Sequence, residues 1–331
     1  MNSLAARIQV DFGGLLTGRR SGAEGFEPNG GSNRSRPRRD ESDNPSNPEP
    51  LTVPWLMDRF EARLRTAEPG IRELIARVPL LPTPPFPAEW LRCEMLERLD
   101  VLRRAPLEHA RTVLEVGSGA HAISTIPLAH LVGPEGRVVA GERSRWGKFL
   151  AIVAGSGLGN RIHPVACDAL RLPLCDNSAD LAVCVHGLRS LQGEERSVRV
   201  VREMLRAAPR VFLAESLPIA RTNAQSAHLA MYNLREDAFL AASGTTDDLR
   251  YAPLERIVSL AERAGGSVEV TETLQVDLPH FLAGFPRTLV EGVRPGDLRE
   301  RLLQRWDEAD RMRRRYGEDH PPVGIVIARR R

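Results

Sequence analysis

From Thr112 onward the chain alternates short apolar runs with helical stretches, and this alternation decides what it can fold into. The runs are Val113–Val116, Arg137–Gly141, Ile162–Cys167, Asp180–Val185, Arg210–Ala214, Ser267–Val276 and Val323–Ala328. Helical spacing fills most of the gaps, at 121–132, 145–154, 192–207 and 254–264. Strands alternating with helices predict an α/β sandwich around a largely parallel sheet, with both sheet faces covered. No internal repeat is visible.

The preceding residues divide in two. Segment 1–50 is rich in Gly, Ser, Asn, Pro, Arg and acids. It buries too little apolar surface to offset the entropy of ordering, so it reads as disordered. Residues 51–110 read as a helical N-terminal addition. Trp55, Leu56, Arg59 and Phe60 begin one amphipathic run, and Ile71, Leu74, Ile75 and Val78 form a second, closed by Pro79. Trp90, Leu91, Met95, Leu96 and Leu99 mark a third. The main domain is then 111–331, with helical insertions at 219–250 and 278–320. In the latter, Leu298, Leu302, Trp306 and Ala309 share one helix face.

Composition removes several classes of function. No run of about eighteen apolar residues exists, so nothing reads as a membrane span. The 46 basic residues include a single lysine, Lys148, so arginine is the default cation and its clusters say little about nucleic acid. Arg313–Arg315 and Arg329–Arg331 read as a solvated helix face and a charged tail. Cys93, Cys167, Cys175 and Cys184 form no C-x-x-C pair and match no His spacing, so no metal site is expected and a reducing cytoplasm fits. The N-terminus lacks the apolar core of a secretory signal.

The first strand runs into Gly117-Ser118-Gly119-Ala120-His121-Ala122, which satisfies G-x-G-x-x-[GA]. Alone this is a weak dinucleotide signal. Glu115, two residues before the first glycine, opposes that reading, because a pyrophosphate there meets like charge. At about 4 Å and an effective dielectric near 20, the repulsion is about 4 kcal/mol. A ligand with a cationic end reverses the sign, and S-adenosylmethionine carries an ammonium and a sulfonium with no phosphate. Glu142 closes the second strand, placed to accept ribose hydroxyls. Asp168 closes the third, placed to accept an adenine amino group, with the Ala169 amide on a ring nitrogen. In open α/β sheets ligands lie at the carboxyl ends of strands, where these acids fall.

The runs LEVGSGAHAIS, VVAGE, VACDALRLPLCDNSADLAVCVHGL and REMLRAAPRVFLAES resemble the class I S-adenosylmethionine-dependent methyltransferases, strongly over Arg111 to Leu217 and more faintly through LERIVSLAERAG. The resemblance implies a Rossmann-like, seven-stranded, mostly parallel sheet with its last strand antiparallel and helices on both faces. It implies S-adenosyl-L-methionine as cofactor, held by Glu115, Gly117, Ser118, Gly119, Glu142, Arg143, Asp168 and Ala169. The sequence departs from the family at His121, where a third glycine is usual, and at the Ala207-Ala208-Pro209 turn.

Methyl transfer is an in-line displacement, so positioning can supply much of the rate and no conspicuous catalytic motif is required. His186, just past the fourth strand, is the candidate base or acceptor contact, against a lining role. His121 falls near the methionine end. The remaining six histidines lie in helical or tail segments and read as unpartnered. Trp146 reads as an adenine cover or as helix core, and Lys148 as a surface residue. Arg189 and Glu215 fall near the cleft mouth.

The absence of N-P-P-[YF] after the fourth strand disfavours adenine amino methylation. No cysteine has the Pro-Cys setting of a pyrimidine nucleophile. The helical additions favour a small-molecule acceptor over RNA, which needs an open basic groove. An RNA methyltransferase and a non-catalytic binding protein of the same fold are the alternatives.

Overall fold

Each apolar run forms a strand in the computed structural model, which describes residues 53–79, 89–143, 146–191, 193–243, 250–280 and 287–331. Segment 1–50 lies outside the described residues. The chain begins with α1 (Val53–Thr66), α2 (Pro69–Arg77) and α3 (Trp90–Leu102). Then follow β1 (Thr112–Val116), α4 (Thr125–Val132), β2 (Arg137–Glu142), α5 (Trp146–Ser156), β3 (Ile162–Ala166), β4 (Leu181–Val185), α6 (Glu194–Ala207) and β5 (Arg210–Ser216). The remainder is α7 (Asn223–Ser243), α8 (Leu254–Arg263), β6 (Gly266–Leu274), α9 (Arg287–Glu291), α10 (Asp297–Tyr316) and β7 (Val323–Arg330).

The sheet order is β3-β2-β1-β4-β5-β7-β6. The pairs from β3 to β5 are parallel, and β7 runs antiparallel between β5 and β6. β4, with LAVCV wholly buried, has the continuous apolar character of a strand covered on both faces. β3 carries Pro164 and sits at an edge, where a missing ladder donor costs least.

Strand periodicity sorts the core into two layers. Val113, Val138, Val183, Phe212 and Ile325 point to one face, against α1 to α5. Leu114, Ala182, Cys184, Leu213 and Val326 point to the other, against α6 and α8. α6 fits its place because Val198, Val201 and Leu205 recur at helical spacing, with Glu194 and Glu195 in the first turn beside the positive end of the helix dipole. A third cluster joins α7, α9 and α10 through Leu234, Val290, Leu302 and Trp306.

Two expectations change in detail. The N-terminal helices share the core of one sheet face. α3 is buried nearly all round, taking Glu94, Glu97 and Arg98 inside with its apolar residues. Arg313, expected on a solvated face, is buried and donates to Asp310 at 2.7 Å. Among the described residues no helix is long and apolar enough to cross a membrane.

Candidate active site

The turn after β1 has the backbone that its glycines permit. Gly117 has φ +81° and Gly119 φ +67°, a region that side chains disfavour. A Cβ on Gly119 would meet nothing within 4 Å, so open space lies above that residue. His121 is buried, with its ring edge-on to Trp90 of α3 at 5.6 Å. Burial, helped by Lys148, lowers its pKa to about 4 and keeps it neutral. The bulk that replaces a glycine is thus absorbed by the helix packing.

Glu115, Glu142 and Asp168 stand at the ends of adjacent strands. Glu115 is 1% exposed and accepts a 2.5 Å bond from Thr125 Oγ1. Burial pushes its pKa up to about 7, opposed by the Thr125 bond and reinforced by Glu142. Glu142 ties the loop to β2, since its Oε2 accepts from Gly119 N at 3.1 Å and its Oε1 from Arg143 N at 2.7 Å. Asp168 is exposed, and its Oδ1 accepts from Leu170 N at 3.0 Å, fixing a turn beside the half-buried Ala169. Ser118 is buried, with its hydroxyl 3.4 Å from the Gly141 carbonyl, and Arg143 is exposed. Trp146 is half-buried and packs edge-on to Phe149, while Lys148 is exposed.

His186 lies just past β4 with φ +54° and is buried. The Ser216 backbone N–H donates to its Nδ1 at 3.2 Å. A backbone amide can only donate, so Nδ1 carries the lone pair and the proton sits on Nε2. Nε2 then donates to Glu97 Oε1 at 3.1 Å. Burial, with Arg98 and Arg189 nearby, holds the imidazole well below its ordinary pKa. Both ring nitrogens are therefore engaged. Glu215, also buried, accepts from Leu188 N at 2.6 Å at the turn after β4.

The expectation that the other histidines lie apart is corrected for three of them. His228 of α7, His280 and His320 converge, with ring centroids 4.4 Å apart for His228 and His280 and 4.3 Å for His280 and His320. His320 Nε2 is 3.5 Å from Glu94, and His228 Nδ1 is 3.7 Å from Glu318. His228 Nε2 lies 3.0 Å from the Tyr251 hydroxyl, and Tyr251 stacks on Tyr232 with centroids 4.0 Å apart. Arg189 lies over the Tyr251 ring at 5.6 Å. Arg98 joins this group to His186 by pairing with both Glu97 and Glu94. The polar layer thus continues from the end of β4 to the segments under α7. The one local signal was the alternation in DLPH and EDH, which puts His280, Glu318 and His320 on one face of two extended segments.

No family model matches the chain. It is 27% identical over 192 residues to the ubiquinone/menaquinone biosynthesis C-methyltransferase UbiE of Pseudomonas fluorescens (strain Pf0-1), covering 56% of this chain and 68% of that protein. The protein of the same description from Hahella chejuensis (strain KCTC 2396) is 29% identical over 108 residues, 31% of this chain and 42% of its own length. In structure, the chain is similar to a cyclopropane-fatty-acyl-phospholipid synthase-like protein from Lactobacillus casei ATCC 334. The TM-score is 0.65 at 16% identity, over 80% of this chain and 100% of that one.

Proposed function

We infer that this chain is a class I S-adenosylmethionine-dependent methyltransferase that delivers a methyl group to a small-molecule acceptor at the carboxyl ends of the strands, beside α3 and α7. The observation that carries the reading is the set of acids around the glycine turn: Glu115 and Glu142 flank Gly117 and Gly119, with Asp168 on the next strand end. A phosphate-bearing cofactor meets repulsion there, whereas a ligand with a cationic end and free hydroxyls meets attraction.

The residues fit the cofactor. The space above Gly119 admits close approach to the backbone. Glu142 accepts from the Gly119 and Arg143 N–H groups at the end of β2, and a carboxylate is the acceptor a ribose hydroxyl calls for. Asp168 and the Ala169 amide face an adenine edge in this assignment, and Glu115 answers the ammonium. When bound, the cofactor supplies an electrophilic methyl on a sulfonium. The chain supplies position: the loop holds the donor, and the layer of α3 and α7 orients the acceptor and limits water. His186 is a positioning residue in this reading, because Ser216 and Glu97 occupy its nitrogens.

The relatives' C-methylation in ubiquinone and menaquinone biosynthesis makes a quinol-type ring the first acceptor to try. Tyr232, Tyr251 and Arg189 suit a planar oxygenated ring. The free cysteines fit a cytoplasmic location.

Calorimetry against S-adenosylmethionine and NAD tests the cofactor, with heat expected for the first alone. Labelled methyl transfer to quinol precursors and to a cell extract, fractionated by size, tests the acceptor. Label in small molecules is the expected result. Label in RNA, or binding of NAD in place of S-adenosylmethionine, overturns the reading.

A further inference from the structure

Three imidazoles and two carboxylates are packed together away from the glycine turn, and nothing in the methyl-transfer reading needs them so. His280 is 8% exposed, and Glu94, His228, Glu318 and His320 are 3% or less. They form two overlapping donor sets, Glu94–His280–His320 and His228–His280–Glu318, with the ligand atoms of each set within 4.8 Å of one another.

Local structure explains why the donors meet. The segments around Pro279 and Asp319 pair antiparallel, with His280 N bonded to the Glu318 carbonyl at 3.0 Å and His320 N to the Leu278 carbonyl at 3.1 Å. Gln225 of α7 donates to the His320 carbonyl at 2.9 Å and so ties this pair to the helix that carries His228. Period-two geometry then turns His280 and His320 to the same side, toward Glu94 of buried α3. The backbone that presents these side chains is fixed by bonds that do not involve them.

A buried imidazole nitrogen left without a hydrogen bond is costly, because it has given up water and gained no partner. His320 Nδ1 and His280 Nδ1 make no hydrogen bond, while His320 Nε2 and His228 Nδ1 meet only carboxylates at long range, Glu94 at 3.5 Å and Glu318 at 3.7 Å. These atoms point into the cluster from separate elements, a pattern opposite to that of ordinary buried histidines, whose nitrogens are satisfied. A cation that accepts imidazole and carboxylate donors satisfies several of them together.

We propose that Glu94, His280 and His320 bind a divalent zinc-class ion. Two neutral imidazoles and one carboxylate are the donor set of a zinc site with an open fourth position, and the mixture excludes the all-oxygen preference of magnesium and calcium. His280 belongs to both donor sets, so a single ion is held, with His228 and Glu318 outside its coordination. The carboxylate of Glu94 also pairs with Arg98, which fixes the ligand from behind.

The test uses the full chain without an affinity tag, stripped with a chelator and titrated with zinc alone. One zinc per chain is expected by elemental analysis, with no competition from magnesium. X-ray absorption on the wild-type chain should show imidazole nitrogen and carboxylate oxygen and no sulfur. His320→Gln and Glu94→Gln should each weaken zinc binding by on the order of 100-fold. His163→Gln, which removes an exposed histidine on β3, should leave it unchanged. Circular dichroism establishes that each variant is folded, and the absorption spectrum needs no variant. A folded wild-type chain that takes up no zinc overturns the proposal. Sulfur ligation also overturns it, as does binding that survives His320→Gln but is lost in His228→Gln or Glu318→Gln. None of these outcomes depends on methyl transfer.

Discussion

His186 and Glu97 form a buried pair in which a neutral imidazole donates through Nε2 to a carboxylate 3.1 Å away. The pair joins the end of β4 to α3, and so joins the sheet to the helical layer above it.

Removing the imidazole leaves the Glu97 carboxylate buried without this donor. His186→Ala should lower stability by roughly 1–3 kcal/mol in denaturant titration, because Glu97 keeps Arg98 but loses a charge-assisted hydrogen bond and Ser216 N loses its acceptor. His186→Asn should lose less, because asparagine tolerates the φ of +54° at this position. The imidazole stays neutral far below pH 6.5, so it contributes no limb to the pH–rate profile near neutrality. A limb near pH 6.5 that disappears in the asparagine variant would contradict the positioning role.

Glu115 gives a pH dependence of stability with a definite sign. Its folded pKa is raised to about 7 from 4.5, so the folded state binds more protons between these values. Stability from this group is fully present below pH 4.5 and is lost as pH rises through 7. Glu115→Gln removes the buried charge and keeps an acceptor for Thr125. Above pH 7 the variant should be more stable than the wild type by up to about 3 kcal/mol. The difference should shrink toward pH 4.5, as thermal melts across that range can show.

The same carboxylate should couple proton release to cofactor binding. A cationic ligand favours the ionised form, so at pH 6 binding should release up to about one proton. Calorimetry in two buffers of different ionisation enthalpy measures this directly. Glu115→Gln should abolish the release and weaken affinity by roughly tenfold, even while it stabilises the fold. Equal affinity with no proton release in the wild type would remove Glu115 from the cofactor site.

Glu142 and Asp168 should separate binding from folding in opposite ways. Glu142 holds Gly119 and Arg143, so Glu142→Ala should loosen the turn and reduce both affinity and thermal stability. Asp168 is exposed, and its side chain accepts from Leu170 N, so Asp168→Ala should cost affinity, about 10-fold, with little change in melting. Isothermal titration beside differential scanning fluorimetry distinguishes the two.

Gly324 tests the packing of β7. A Cβ there would lie 2.6 Å from Leu217 Cδ2 and 3.1 Å from Leu254 Cδ1. Leu217 is fully buried, so little room exists for it to yield. Gly324→Ala should destabilise by about 1–3 kcal/mol through overpacking, measured by chemical denaturation.

The central strands were legible because each reports its own burial: LAVCV and the VFLA of β5 are apolar runs, and observed ends lie within a few residues of those expected. The acids at strand ends were legible for the same local reason. Glu115 was harder, since the sequence places it at the turn but does not show that Thr125 and the packing around it raise its pKa. The histidine cluster was not legible as a group. Its members come from positions 94, 228, 280, 318 and 320, and beyond the two-residue step from Glu318 to His320 no spacing rule relates donors that only tertiary packing joins. α3 hid its contribution too, because charged residues on a helix buried all round resemble a solvated face in the sequence.

β6 reaches the sheet solely through β7, which lies between it and β5. β6 therefore precedes in the chain the strand that receives it, and β7 is the single link between β6 and the five strands from β3 to β5. Damage near residues 323–330 would strip a ladder partner from both β5 and β6 at once.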